Sequence, residues 1–140
     1  EKGYLHWGHD ISPEENQYEA GLNFVVSFKK KVDFIGKDFL NKIKNQKVNK
    51  KLVMLSLDKS NPGYPLLLHD EPIYYEGKIV GRTTSGNYSF NYKKNIAFGY
   101  INTSIELISK NLEIEVEKKK YSATIEPKAL HDYDSKIMKR

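Results

Sequence analysis

Apolar positions are scattered over residues 1–49 and fall into strict alternation from about residue 50 onward. Ile96, Phe98 and Tyr100 alternate with Ala97, Gly99 and Ile101; Leu112, Ile114 and Val116 alternate with Glu113, Glu115 and Glu117; Tyr121, Ala123 and Ile125 repeat the pattern after lysines 118–120. A period of two belongs to a strand with one face on a core. Residues 52–57 read as a buried strand, Asn61, Pro62 and Gly63 as a turn, residues 66–69 as another strand, and residues 73–80 as a hairpin turning at Glu76 and Gly77. The stretch 77–101 then predicts a strand at 78–84, a glycine-punctuated loop at 85–94 and a strand at 96–101. Glycines 77, 81, 86 and 99 allow the corners and close approaches of a small curved sheet. Together these segments predict a closed or nearly closed antiparallel barrel over residues 50–126, with residues 127–140 as a surface tail.

The first part of the chain has a different character. Residues 1–21 are loop-like, rich in aromatic, histidine and acidic residues and broken by Gly3, Gly8 and Pro13. Ser12 with Glu15 three residues on forms a capping box for a brief helical turn. LNFVVSF at 22–28 predicts a strand, followed by Lys29, Lys30 and Lys31. Residues 33–48 carry Ile35, Phe39, Leu40 and Ile43 at helical spacing, which predicts an amphipathic helix of about three turns with its apolar stripe on a core. The fold class is therefore mainly β with a short α+β leader: a C-terminal antiparallel, Greek-key-like β-barrel plus a strand-helix segment. The leader is too small to be a domain alone, so it is expected to complete a sheet made by other sequence or to pack its helix on the barrel.

Composition narrows the chemistry. With 140 residues and no cysteine, thiol nucleophiles and Cys-based zinc sites are excluded. The net charge of +5 is carried by lysine, and only Arg82 and Arg140 offer bidentate recognition. No nucleic-acid motif accompanies that charge, so nucleic acid is not expected as a partner. No run of 18 apolar residues or charged-then-apolar leader occurs, so no membrane role is expected, and the location is expected to be cytoplasmic. Opening on Glu1 rather than methionine, the chain reads as cut from a longer polypeptide or processed. His6, His9 and adjacent Asp10 have some of the look of a metal site, but His69 and His131 sit in unrelated contexts; hydrogen-bonding histidines in a structured loop, and no metal, are expected. GRTTSG lacks the paired Gly-Lys-Ser/Thr of a phosphate loop, and Ser85 reads as a turn residue rather than a nucleophile. Glu1, Tyr4 and Trp7, with the lysine run, would suit a flat heteroaromatic ligand with an anionic tail, an idea the residues permit without favouring.

Four segments, EKGYLHWGHDISPEENQYEAGLNFVV, DFIGKDFL, KIVGRTTSGNYSFNYKKNIAFGYI and VEKKKYSATIEPKALHDYDSKIM, resemble in order and spacing the C-terminal part of the aminomethyltransferase family. That family includes the glycine cleavage T-protein and the folate-binding halves of dimethylglycine and sarcosine dehydrogenases, and the EKGY and HWGHD forms look closer to the dehydrogenases. The resemblance implies that residues 1–49 are the end of a folate-binding aminomethyltransferase domain and residues 50–140 a C-terminal barrel domain with its tail. It implies tetrahydrofolate as cofactor, FAD only in an upstream domain, and as partners of the complete enzyme folate with a small amine substrate or a lipoyl-carrier protein; an oligomer is left open. Glu1 falls at the position of the glutamate that hydrogen-bonds the pterin, with Tyr4 and Trp7 beside it. Lys30 best matches the basic residue that binds the glutamyl tail, an arginine in the T-protein, although Lys29 and Lys31 remain alternatives. The family's catalytic aspartate belongs to the upstream portion, so no catalytic residue is assigned and this chain alone is expected not to turn over. The function implied is the C-terminal portion of a tetrahydrofolate-dependent aminomethyl or one-carbon transferase, passing an amine-derived carbon to tetrahydrofolate to give methylenetetrahydrofolate. A non-catalytic barrel module that binds protein or single-stranded nucleic acid is the alternative, and exposure of Tyr74, Tyr88 and Tyr92 on one face would favour it. A folate-binding repair or assembly factor of the same superfamily would carry a cysteine-containing loop, which this sequence lacks.

Overall fold

Alternation in the second half of the chain becomes a ladder of six antiparallel strands. They are β1 (Lys50–Leu57), β2 (Pro72–Tyr75), β3 (Lys78–Ser89), β4 (Lys94–Asn102), β5 (Leu112–Val116) and β6 (Lys119–Glu126). Pairing in the order β1-β4-β3-β2-β5-β6 closes into a barrel, because β1 also pairs with β6. This computed structural model describes residues 1–103 and 112–139; Arg140, one of the two arginines singled out above, lies outside the described residues. Hairpin-linked β2, β3 and β4, with β1 lying beside β4, form the expected Greek key. At the β2–β3 turn Glu76 and Gly77 both have positive φ, as a two-residue hairpin connection of the favoured twist requires.

The barrel interior is filled by Leu55, Leu57, Ile73, Ala97, Ile101, Leu112, Ile114, Val116 and Ala123, with Leu67 among them. In β4 the smaller set, Ala97 and Gly99 with Ile101, is fully buried, while Ile96 and Phe98 are half-buried. The reason is space: a Cβ on Gly99 would stand 2.8 Å from the Arg82 carbonyl oxygen, and one on Gly81 2.0 Å from that of Tyr100. β1 is covered on both sides, since Leu52, Met54 and Ser56 are buried as well as Leu55 and Leu57. The leader supplies part of that cover; the Leu52 N–H donates to the Glu19 carbonyl at 2.9 Å, and Ala20 is buried.

Four predicted elements take another form. Residues 85–94 are not one long loop: β3 runs on to Ser89, with a bulge between Thr83 and Ser85, and the turn is confined to the residues before β4. Ser85, Gly86 and Asn87 have turn-forming side chains, but β4 offers every one of them a ladder partner, and pairing overrides local preference. Residues 66–69 are not a strand. Leu67 alone turns inward, pressed so close to Gly86 that a Cβ there would meet its own at 2.5 Å, while Leu66 and Leu68 stay exposed. Residues 22–28 form a turn of 3-10 helix at Asn23–Val25 instead of a strand, with Phe24 79% exposed. Among the described residues no strand pairs with this run, and an unpaired strand leaves its backbone groups without a ladder. The three-turn helix shrinks to α1 (Lys37–Ile43), seven residues behind a left-handed Gly36. None of its residues is fully buried: of the apolar stripe, Ile35 beside it and Phe39 are exposed and only Leu40 and Ile43 are half-buried, so the expected core stripe is covered along one edge alone. Smaller adjustments are a β5–β6 turn at Glu117 and Lys118, both with positive φ, one residue earlier than expected.

Candidate functional site

The leader is pinned to the barrel by a loop that closes on one carboxylate. The His6 carbonyl accepts from the N–H groups of His9, Asp10 and Ile11 at 3.2, 2.8 and 3.3 Å, which coils residues 6–11 tightly and turns the Asp10 side chain inward. There Asp10 is 2% exposed. Its Oδ2 accepts from the His6 N–H at 2.8 Å, and its Oδ1 from the Thr84 and Ser85 hydroxyls at 2.6 and 2.7 Å. Successive residues of a strand point to opposite faces, so two adjacent hydroxyls reach one oxygen only because the β3 bulge falls between Thr83 and Ser85. The Tyr100 hydroxyl donates to the Asp10 carbonyl at 3.0 Å; burial, then the charges of Glu15, Glu19 and Asp10, push that phenol up. Next along, the Ser12 hydroxyl and N–H both donate to Glu15, at 2.6 and 3.0 Å, and the Ser12 hydroxyl oxygen accepts from the Glu14 N–H at 3.1 Å, so the predicted cap forms with its return bond one residue earlier than in a full capping box. Lys50 reaches the other Glu15 oxygen at 2.6 Å.

Glu1 sits in a notch at the far end of β3. Its carboxylate accepts from the Ser89 hydroxyl at 2.6 Å and from the Asn91 amide at 2.5 Å. These bonds, Ser89 first and Asn91 second, outweigh desolvation and hold the acid below its usual range, so it stays ionised. Glu1 also borders a cavity of about 280 Å³ whose walls include Met54, Gly86, Ile96 and Phe98. Tyr4 is 70% exposed, bonded through its hydroxyl to the Met138 sulfur at 3.1 Å. It lines a different and larger groove of about 930 Å³, floored by β1 and β6 and flanked by the leader and the tail. Trp7, 68% exposed, and Lys30, also exposed, line neither cavity. The structure thus gives Glu1 apolar neighbours but does not gather Tyr4, Trp7 and Lys30 around it.

The histidines form a cluster that linear spacing concealed. His6 and His9 stack at 4.6 Å, and His69, read as unrelated, comes to 6.0 Å from His9. Hydrogen bonding to His69, opposed by burial and aided by Arg82, lowers the Asp70 acid beside them. Among the described residues no three such groups converge as metal ligands. Asp10 was missed as a key residue; the signal for it was the run Thr83, Thr84, Ser85, three hydroxyls in a row where a strand would alternate. The three tyrosines of the binding-module alternative are each engaged within the chain: Lys120 lies 3.8 Å over the Tyr74 ring, Tyr88 meets Phe90 edge-on at 5.1 Å, and the Tyr92 hydroxyl donates to the Leu130 carbonyl at 2.5 Å.

Residues 50–132 match the family model described as the glycine cleavage T-protein C-terminal barrel domain. The chain belongs to this T-protein barrel family. Mouse mitochondrial dimethylglycine dehydrogenase is 38% identical over 127 residues, covering 89% of this chain and 14% of that protein. An aminomethyltransferase of Symbiobacterium thermophilum is 36% identical over 122 residues, covering 85% of this chain and 31% of its own length. The chain therefore spans about one-seventh of the dehydrogenase and under a third of the aminomethyltransferase. In fold it is similar to the glycine cleavage system aminomethyltransferase T of Bartonella henselae, with a TM-score of 0.78 at 20% identity over 92% of this chain and 35% of that one.

Proposed function

We propose that this chain is the C-terminal portion of a tetrahydrofolate-dependent aminomethyl or one-carbon transferase, in which an amine-derived carbon passes to tetrahydrofolate to give methylenetetrahydrofolate. Family membership carries the class of reaction, and Glu1 is the observation that carries the ligand. An ionised carboxylate beside Met54, Ile96 and Phe98 suits a flat ring that presents N–H donors at its edge and apolar faces above and below. Reduced folate supplies the nucleophilic nitrogen that takes up the carbon. The chain's own part is to bind and orient: Glu1 pairs with ring N–H groups, while Lys30, outside the Glu1 cavity, offers a cation to the longer glutamyl tail, with the amine or a lipoyl-carrier protein approaching from elsewhere. The exposed Phe24, Ile35 and Phe39 support residues 1–49 as the end of a larger folate-binding unit, because apolar side chains of that size are ordinarily covered.

Titration of 5-formyltetrahydrofolate, a stable reduced folate, into the polypeptide that carries this chain tests the proposal. Saturable binding is expected, and Glu1→Ala should weaken it about tenfold or more, the loss typical of a hydrogen bond to a charged group. Equal affinity in the two proteins would sink the assignment of Glu1.

A further inference from the structure

Glu1 reaches its notch on a flexible side chain, so its placement depends on what fixes the backbone beneath it. Ser89 is already oriented: its oxygen accepts from the Tyr92 N–H at 3.1 Å, which leaves its one proton for Glu1. The backbone of the first residues is held from the other side by the tail. The His131 N–H donates to the Glu1 carbonyl at 3.0 Å. Lys2 has three N–H donors, and all three are taken, by the Asp132 carboxylate at 2.9 Å, by the Asp132 carbonyl, and by the Ser135 hydroxyl at 3.1 Å. The clasp is well shielded, with the side chains of Lys2 and Asp132 only 18% and 4% exposed. Asp132 is itself fixed by the Ile137 N–H at 3.1 Å, and the Ser135 N–H closes a turn on its carbonyl at 2.8 Å. The leader and tail backbones touch here, since a Cβ on Gly3 would lie 2.8 Å from the Ala129 Cβ.

Resting on the reading of Glu1 as the carboxylate that binds the pterin, we propose that Asp132 is a positioning residue for Glu1. Its grip on Lys2, with the His131 N–H on the Glu1 carbonyl, keeps residues 1 and 2 at the height where the Glu1 carboxylate meets Ser89 and Asn91. The tail is then a part of the folate site that touches no folate. In the intact polypeptide carrying this chain, Asp132→Asn weakens 5-formyltetrahydrofolate binding about tenfold, and Lys2→Met matches it, the size of coupling expected between residues of one network. In a Glu1→Gln background the same changes add no further loss, because they act through Glu1. An Asp132→Asn protein that binds as well as the parent, while Glu1→Gln binds weakly, overturns the positioning role and leaves the Glu1 assignment standing. An equal loss in both backgrounds overturns it too, by assigning Asp132 a general structural role. No loss on Glu1→Gln removes both.

Discussion

Replacing Asp10 by Asn and by Ala separates the parts played by charge and by hydrogen bonding in joining leader to barrel. The carboxylate accepts three bonds, from His6 N–H and the Thr84 and Ser85 hydroxyls, all between 2.6 and 2.8 Å. Asn can keep most of them. Its oxygen takes the His6 N–H, its amide turns toward the two hydroxyls, and each hydroxyl, being both donor and acceptor, rotates to receive it. What is lost is charge assistance, which roughly doubles the strength of such bonds, offset in part by no longer burying an ion; Asp10→Asn should cost about 1–2 kcal/mol. Ala offers no acceptor, leaving a backbone N–H and two hydroxyls facing a small void, and at roughly 1–2 kcal/mol for each unpaired group the cost rises to about 3–6 kcal/mol. Denaturant unfolding with an unchanged slope gives the totals, and hydrogen exchange at residues 6–11 locates the loss. Equal cost for the two substitutions, or less than about 1 kcal/mol for Asp10→Ala, would refute the view that this carboxylate is the pin.

Gly81→Ala drives a methyl group to 2.0 Å from the Tyr100 carbonyl oxygen across the β3–β4 ladder, and stability should fall by about 3 kcal/mol, read as a lowered denaturant midpoint; an unchanged midpoint would show that the strands part freely there. Acid should destabilise the fold in a defined window. Glu15 and Glu126 are desolvated, yet their bonds to Lys50 and Ser12, and to Lys94 and Ser56, lower both acids below 4.5, and Asp132 is drawn from 3.8 down to about 2, where bonds from Lys2 and the Ile137 N–H outweigh burial. Because the folded values lie below the unfolded ones, this stabilisation is complete above about pH 4.5 and lost as pH falls toward 2. Melting temperature against pH should therefore be level above that point and decline below it, with a shallower decline in Glu126→Gln; a Glu126→Gln curve parallel to the parent's would count against the Lys94 pair as a source.

The barrel was legible because period-two alternation survives wherever a strand has a partner on each side. Ile114 shows it plainly, buried between half-exposed neighbours, and so does Ala123, buried between exposed Ser122 and half-exposed Thr124. Alternation did not reveal which face was inner on β4, because the glycines that permit close strand approach make the small residues the interior set. The leader misled for the opposite reason. LNFVVSF and the stripe through Ile35 and Phe39 carry correct local preferences, but strands need a ladder and helices need a surface to bury against, and the described residues supply no ladder and only part of such a surface, at Leu40 and Ile43. Glu1 and Lys30 are named by resemblance, whereas Asp10 and Asp132 make contacts 74 and 130 residues away in sequence, which no local pattern encodes.

Covering β1 on both sides has a consequence for anyone who wishes to move this module between proteins. Cutting at the start of Lys50 would strip the shelter from Leu52 and Met54 and remove the Asp10 pin and the Glu15 partner of Lys50 with it. The transplantable unit is therefore not the barrel that alternation outlines but the barrel wearing its leader, and a chimera joined upstream of Glu1 keeps intact a seam that one joined at residue 50 tears open.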